Sequence, residues 1–100
     1  MAPPVAAVPG AAWDGRFRLS ARARPGAGWR LGALGAAAAG LRRRAPGWPA
    51  SVLQALPALW DGGRLAAVPA LGYPDVATCA AVKVRFAPAV PLAGAGFLPI

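Results

Sequence analysis

The sequence predicts a small α+β fold, in which a small antiparallel sheet of short strands and hairpins is accompanied by one or two short helices. Three observations predict it: an Asp-Gly turn between two apolar runs at residues 56–69, alternating side chains at residues 15–24, and a run of helix formers at residues 35–44. With 100 residues, the chain forms at most one domain, whose core is adequate for a small fold but not for a deep active site.

The first third of the chain predicts a lead-in followed by a cationic hairpin. Residues 1–12 are rich in Pro and Ala and predict a flexible lead-in or linker, so the single small domain is expected at residues 13–100. The Trp-Asp-Gly-Arg of residues 13–16 predicts a turn. Residues 15–24 alternate between apolar and mostly basic side chains, and this period of two predicts a strand with one buried and one strongly cationic face. A turn at residues 25–28 and a return strand at residues 29–32 complete the predicted hairpin.

The middle of the chain predicts two short helices. Residues 35–44 are good helix formers that end on three arginines, which the helix dipole favours in a last turn, and a Pro-Gly pair at residues 46 and 47 then ends the helix. Pro49 suits the first position of a second helix, because its missing N–H would be unpaired there anyway. We expect Val52, Leu53 and Leu56 on one face of that helix.

Residues 56–69 predict a hairpin, because glycine reaches positive φ without steric cost and Asp hydrogen-bonds its own backbone. Pro57 and Pro69 have no N–H, so we expect them to bound the ribbon and to prevent it from serving as a central strand. Residues 70–75 predict a loop. Residues 80–86 alternate again, with Lys83 and Arg85 opposite apolar side chains, and predict another strand. Residues 87–100 predict an irregular tail, whose apolar end we expect against the sheet.

The formal charge is +8, from eleven basic and three acidic side chains, and it favours an anionic partner, with nucleic acid as the first candidate. GC-rich coding would also enrich Arg, and this alternative origin for part of the charge stays open. The chain has one cysteine and no histidine, which excludes an internal disulfide or an ordinary metal site and favours a reducing compartment. The N-terminus is a poor signal peptide, and no apolar run approaches the roughly 20 residues that a bilayer requires. We therefore expect a soluble, cytoplasmic chain with no membrane partner.

Catalysis by these residues is not expected. The only carboxylates are Asp14, Asp61 and Asp75, and two of them lie in Asp-Gly turns, where capping the backbone is their expected role. Cys79 has no histidine with which to form a thiolate pair, so we expect it to be buried and inert. No phosphate-binding loop motif is present in the sequence. The sequence thus nominates no catalytic residue, no metal ligand and no cofactor for this chain itself.

Binding of phosphates by the basic side chains is the better supported hypothesis. Alternate residues of a strand are about 6–7 Å apart, comparable with the spacing of phosphates along a nucleic-acid strand. The second alternating segment would extend the cationic face if both strands share a sheet. The helix arginines predict a basic cap instead, because consecutive helical residues point in different directions. The alternatives are that both groups are merely solvated, and that the four tryptophans form the core and do not stack on bases. The candidate residues are Arg16, Arg18, Arg22, Arg24, Arg42, Arg43, Arg44, Lys83 and Arg85.

Residues 48–69 also form a recognisable pattern: a Trp, a short helix, and then Leu-Pro-Ala-Leu-Trp-Asp-Gly-Gly-Arg-Leu-Ala-Ala-Val-Pro. Three arginines and Pro-Gly precede this pattern, and Leu-Gly follows it. Together these residues resemble the C-terminal region of bacterial tRNA(Ile)-lysidine synthase. The Trp-Asp-Gly-Arg-Phe of residues 13–17 is similar to the form in alphaproteobacterial members, and the resemblance covers most of residues 12–97.

The resemblance implies a role in tRNA modification. The family's enzymes are ligases that activate cytidine 34 of an isoleucine tRNA with ATP and Mg, after which lysine displaces AMP to give lysidine. That chemistry belongs to an N-terminal PP-loop ATPase domain marked by Ser-Gly-Gly-x-Asp-Ser, which is absent from this sequence. We therefore expect a non-catalytic tRNA-binding domain or fragment, inactive alone, whose basic residues contact tRNA and which docks on the N-terminal catalytic domain. The family's basic helix carries spaced lysines, whereas the arginines at 42–44 are contiguous.

Two other interpretations stay open. The chain can be a structural or interaction module whose apolar faces dock on an upstream domain, with arginines that serve only solubility. It can also fold poorly alone, because it contains 13 glycines and 12 prolines and its core is small.

Overall fold

A computed structural model of the chain describes residues 2–87, in which short strands and helices build two small antiparallel sheets. The predicted α+β fold class is therefore confirmed. With η for a 3₁₀ helix, the elements are β1 (Val5–Ala6), β2 (Ala12–Trp13), β3 (Phe17–Leu19), β4 (Arg30–Ala33), η1 (Gly35–Arg44), α1 (Ala50–Gln54), β5 (Pro57–Asp61), β6 (Arg64–Ala67), η2 (Pro69–Leu71), α2 (Val76–Ala81) and β7 (Val84–Phe86).

The strands form a four-stranded sheet of order β1-β4-β5-β6 and a three-stranded sheet of order β2-β3-β7. In the larger sheet, Leu31 of β4 lies opposite Leu59 of β5. In the smaller sheet, Phe17 of β3 lies between Trp13 of β2 and Phe86 of β7. The three rings form a row, with 5.9 Å between the first two centroids and 5.8 Å between the last two.

Two apolar clusters hold the layers together. The first joins the two sheets, and its largest members are Trp13, Leu19, Leu31, Leu59 and Val82. The second cluster lies on the other face of the larger sheet. Successive side chains of a strand point to opposite faces, and in β5 Leu59 belongs to the first cluster whereas Ala58 belongs to the second. The second cluster contains side chains of η1 and α1. The larger sheet thus lies between the smaller sheet on one side and η1 and α1 on the other.

The predicted Asp-Gly hairpin is present, but it has a more central place than expected. Asp61 and Arg64 close the turn between β5 and β6, and Gly62 has a φ of +62°. However, β5 also pairs with β4, so it is an inner strand of the larger sheet and the expectation of a non-central ribbon is wrong. Pro57 is the first residue of β5, a position at which a missing N–H is tolerated.

The alternating segment at residues 15–24 forms a strand only over its first half, so the predicted cationic hairpin is corrected. After Leu19 the chain turns, and the N–H of Ala23 donates to the carbonyl of Ser20 at 3.0 Å. The apolar positions in this second half are alanines, which bury too little area to hold a longer strand in place. The expected return strand exists as β4, but it pairs with β1 and β5 instead of β3.

The segment expected to be a lead-in contributes to both sheets. β1 pairs with β4, Ala7 is buried in the first cluster, and Ala12 belongs to β2. Pro4 packs over Gly32, where an added Cβ would lie 3.1 Å from the Cβ of Pro4. Small side chains fit this close approach. The Pro/Ala composition, which predicts a linker, therefore allows this segment to pack against β4. The domain therefore includes residues 5–12 as well.

The predicted helices are present with two differences. Residues 35–44 form a 3₁₀ helix, and α1 begins directly after Pro49. Leu53 is buried and Leu56 is half-buried, whereas the side chain of Val52 is 46% exposed, so the predicted apolar face is wrong for Val52. Among residues 2–87, no helix has the length and apolar character needed to cross a bilayer.

Helix α2 is absent from the sequence-based prediction. Asp75 caps it, because its carboxylate accepts a hydrogen bond from the N–H of Thr78 at 2.7 Å. The helix occupies the start of the segment predicted as a strand at residues 80–86, so β7 is limited to its last three residues. The loop predicted at residues 70–75 begins within η2. The tail predicted at residues 87–100 lies, apart from Ala87, outside the described residues.

Candidate nucleic-acid interface

The smaller sheet brings together cations from two distant parts of the chain. Arg18 of β3 lies directly opposite Arg85 of β7. On either side of this pair, Ser20 donates to the carbonyl of Lys83 at 2.8 Å and Ala87 donates to that of Arg16 at 2.6 Å. In an antiparallel ladder, hydrogen-bonded and non-hydrogen-bonded residue pairs alternate, so these two bonds make Arg18 and Arg85 a hydrogen-bonded pair. The Cα atoms of such a pair are about 5.5 Å apart. The two alternating segments therefore share a sheet, which is the condition under which the second segment extends the cationic face of the first.

Strand alternation separates these arginines from the aromatic row. Leu19 is fully buried on the core side of β3, whereas Arg18 is exposed on the other side. Arg16 and Lys83 lie two residues from the pair along their own segments and are also exposed. By backbone alternation four cations thus follow one face of the β3–β7 ladder, although the guanidinium group of Arg16, which precedes β3, reaches the ring of Phe17. We call these residues, Arg16, Arg18, Lys83 and Arg85, the cationic face.

Local contacts distinguish the two arginines of the β3 segment. Arg16 forms an ion pair with Asp14, and its guanidinium carbon lies 5.5 Å from the ring centroid of Phe17. Arg18 donates from Nη1 to the carbonyl of Gly10 at 2.6 Å. This bond orients its guanidinium group and uses one of five N–H donors. Arg18 is therefore the better placed of the two to receive an external anion.

Arg22 and Arg24 do not belong to the ladder. They follow the turn after β3, and the N–H of Arg24 donates to the carbonyl of Ala81 at the end of α2, at 2.7 Å. Both side chains are exposed. Alternation therefore does not assign them to the cationic face, and the predicted stripe of four arginines on one strand is corrected.

Arg42, Arg43 and Arg44 lie at the end of η1, between the buried residues Leu41 and Ala45. With three residues per turn, a 3₁₀ helix points consecutive side chains in different directions, so these arginines form no stripe. Arg44 donates to the carbonyl of Gly72 at 3.2 Å, and its guanidinium carbon lies 5.1 Å from the centroid of the Tyr73 ring. This arginine therefore connects η1 to the loop before α2 and has a structural role.

Two titratable groups of the α2 segment, Asp75 and Cys79, have shifted pKa values. Hydrogen bonding to the backbone N–H of Thr78 lowers the pKa of Asp75, as expected for a helix cap. Cys79 is half-buried, its Sγ lies 3.2 Å from the carbonyl of Tyr73, and burial raises the pKa of its thiol. The thiol is therefore disfavoured as a nucleophile, although it is less buried than the sequence predicts. Within residues 2–87 no group of three His, Cys, Asp or Glu side chains is placed to hold a metal.

A groove of about 880 Å³ opens beside β7 and was not foreseen from the sequence. Residues of β7 and α2 line it together with Phe17 and with residues 20–21, 56–57, 69–70 and 72. Its walls depend on α2, whose only clear sequence signal is Asp75 as a cap after a proline. A helix predicted from that cap would have indicated α2, which lines the groove together with β7.

The comparisons with known proteins identify no relative of this chain. No family model matches the chain, and neither the curated proteins nor the solved structures gave a match. The geometry of the described residues and the resemblance of the sequence pattern are therefore the two grounds for a functional proposal.

Proposed function

We propose that this chain is a non-catalytic RNA-binding domain whose Arg18–Arg85 pair contacts the phosphates of tRNA. One observation carries the proposal: two exposed arginines face each other across adjacent strands of a sheet. Like charges directly opposite on a sheet destabilise it. A bound anion removes that penalty, and guanidinium groups bind phosphate oxygens bidentately. A separation of about 5.5 Å between the two Cα atoms lets the pair reach neighbouring phosphates of one strand.

The remaining members of the cationic face extend this contact. Lys83 lies two residues before Arg85 on the same segment. Among residues 2–87, the only ion pair is that of Arg16 with Asp14. The other described cations of the face are thus free of internal carboxylates. Binding that uses several such contacts gains affinity by releasing counterions from the nucleic acid.

The resemblance to the C-terminal region of tRNA(Ile)-lysidine synthase supports tRNA as the particular RNA. In this proposal, the ligase chemistry, with its ATP and Mg, belongs to a PP-loop ATPase domain whose motif this sequence lacks. The chain would act in the cytoplasm and hold the tRNA body for that domain. An in-frame Ser-Gly-Gly-x-Asp-Ser motif in the DNA upstream would support this arrangement. Its absence there would argue against lysidine synthase as the parent enzyme.

A titration of tRNA with matched double variants tests the proposal. Arg18→Gln/Arg85→Gln removes the pair from the cationic face. Arg30→Gln/Arg64→Gln removes the same charge from exposed positions on the larger sheet. At about 50 mM salt, where phosphate contacts are strongest, we expect the first variant to weaken tRNA binding at least tenfold and the second by less than threefold.

The outcomes separate the proposal from its alternatives. Equal losses in the two variants would show that only the total charge matters, which contradicts a specific cationic face. Wild-type affinity in both variants would favour the structural or interaction module. Far-UV circular dichroism on each variant verifies that the fold is retained.

A further inference from the structure

We propose that the groove beside β7 binds an extended, acidic peptide segment of another protein, which adds to β7 as a further strand. This inference does not depend on the tRNA proposal. It rests on three features of the groove: exposed apolar side chains, outward-facing backbone groups and cations with no carboxylate beside them.

The groove exposes apolar side chains that a small domain normally buries. Val76, at the start of α2, is 81% exposed, and Phe86 of β7 is 54% exposed. Both line the groove, together with Val84 and Ala80. Contiguous exposed apolar residues of this kind mark binding sites for ligands or proteins.

The edge of β7 offers hydrogen-bonding groups to the same groove. Among residues 2–87, β7 pairs only with β3. The bonds made by the carbonyl of Lys83 and the N–H of Ala87 show that the odd-numbered residues face β3. In an antiparallel ladder the alternate residues face the other way, so the N–H and C=O groups of Val84 and Phe86 point outward. An extended peptide can pair with these groups and place alternate side chains in the groove.

The charge around the groove selects an acidic peptide. Lys83 and Arg85 line it, and none of the chain's three aspartates does. Asp14 pairs with Arg16, Asp61 lies at the hairpin turn, and Asp75 caps α2. Carboxylates on the incoming strand would therefore supply the missing counter-charge. A second copy of this chain, with its charge of +8, would bring further cations. An RNA strand has no peptide backbone whose alternating N–H and C=O groups could continue the ladder of β7.

Synthetic peptides test strand addition directly. The probe is a fluorescent, blocked octapeptide of alternating Val and Glu, and the charge control replaces each Glu with Lys. We expect saturable binding of the acidic peptide and at least tenfold weaker binding of the basic one. Two further acidic peptides carry N-methyl groups either on all Val nitrogens or on all Glu nitrogens. Because only alternate N–H groups face β7, one methylated peptide should lose binding and the other should keep it. Equal behaviour of the two methylated peptides would overturn the proposal.

A pair of single variants on α2 provides the matched control on the protein side. Val76→Glu places a negative charge in the groove, whereas Ala77→Glu places it on the neighbouring exposed residue, which does not line the groove. A glutamate in the first turn is compatible with a helix, so both variants should fold. We expect Val76→Glu to weaken the acidic peptide at least tenfold and Ala77→Glu by less than threefold. Equal effects would contradict binding in the groove.

Three other occupants of the groove would give different results. Tighter binding of a uridine octanucleotide than of the acidic peptide, abolished by Val76→Glu, would assign the groove to RNA. Peptide binding seen only after removal of residues 88–100 would assign it to this chain's own C-terminal segment. Concentration-dependent dimerisation in sedimentation velocity, lost in Val76→Glu, would assign it to a second copy. Each of these results overturns the proposal.

Discussion

Replacing Leu59 with Ala tests the layered arrangement in which β5 is an inner strand. Leu59 is fully buried in the cluster that joins the two sheets, and it lies opposite Leu31 of β4. Truncation removes apolar area and leaves a cavity between the sheets. Leu→Ala changes at such positions cost about 3–5 kcal/mol. For a domain of this size, with about 5–15 kcal/mol of total stability, the loss is a large fraction.

Urea denaturation followed by tryptophan fluorescence measures this loss, because the midpoint falls while the slope stays constant if the variant remains two-state. Val52→Ala is the matched control, since Val52 lies on α1 with 46% of its side chain exposed. We expect its effect to stay within about 0.5 kcal/mol. A loss below about 1 kcal/mol for Leu59→Ala, or equal losses in the two variants, would refute the placement of β5 between two apolar clusters.

Two further predictions concern the segment that contains α2. The lowered pKa of Asp75 means that its carboxylate stabilises the fold above its ordinary pKa of 3.8, and this stabilisation is lost as the pH falls through the lowered value. The urea midpoints of wild type and Asp75→Ala should therefore differ at about pH 6 and converge as the pH falls through the lowered pKa, and a constant difference would contradict the capping role. Burial raises the pKa of Cys79, so the native chain should react with iodoacetamide more slowly than the urea-unfolded chain at neutral pH; equal rates, followed by mass spectrometry, would contradict this environment.

Local turn chemistry and alternation predicted the parts of the fold that depend on neighbouring residues. The Asp-Gly turn forms between β5 and β6, and the two alternating segments each contain a short strand. Alternation also predicts that Arg18 and Arg85 lie on the polar faces of their strands. The sequence pattern therefore predicts which residues of each strand belong to the cationic face. The pairing of β3 with β7, which brings these residues together, is known only from the structure.

The choice of strand partners could not be predicted in the same way. β4 pairs with β1 and β5 because buried side chains such as Leu31 complete a core that extends over distant segments. β1 could not be predicted from the Pro/Ala composition of its segment, because the close packing of Pro4 on Gly32 uses small residues that also occur in linkers. Helix α2 contains β-branched residues of low helix propensity and depends on its Asp75 cap. The groove could not be predicted either, because residues of α2 form part of its lining.

The salt dependence of tRNA binding tests the central claim most directly. Each phosphate contact contributes about −0.7 to −0.9 to the slope of log K against log salt. We expect a steep slope for the wild-type chain between about 50 and 200 mM salt, and a slope smaller in magnitude by about 1.4 to 1.8 for Arg18→Gln/Arg85→Gln, because two phosphate contacts are removed. An unchanged slope in that variant, or no tRNA binding by the wild-type chain, would contradict the claim that the cationic face of the smaller sheet binds an RNA backbone.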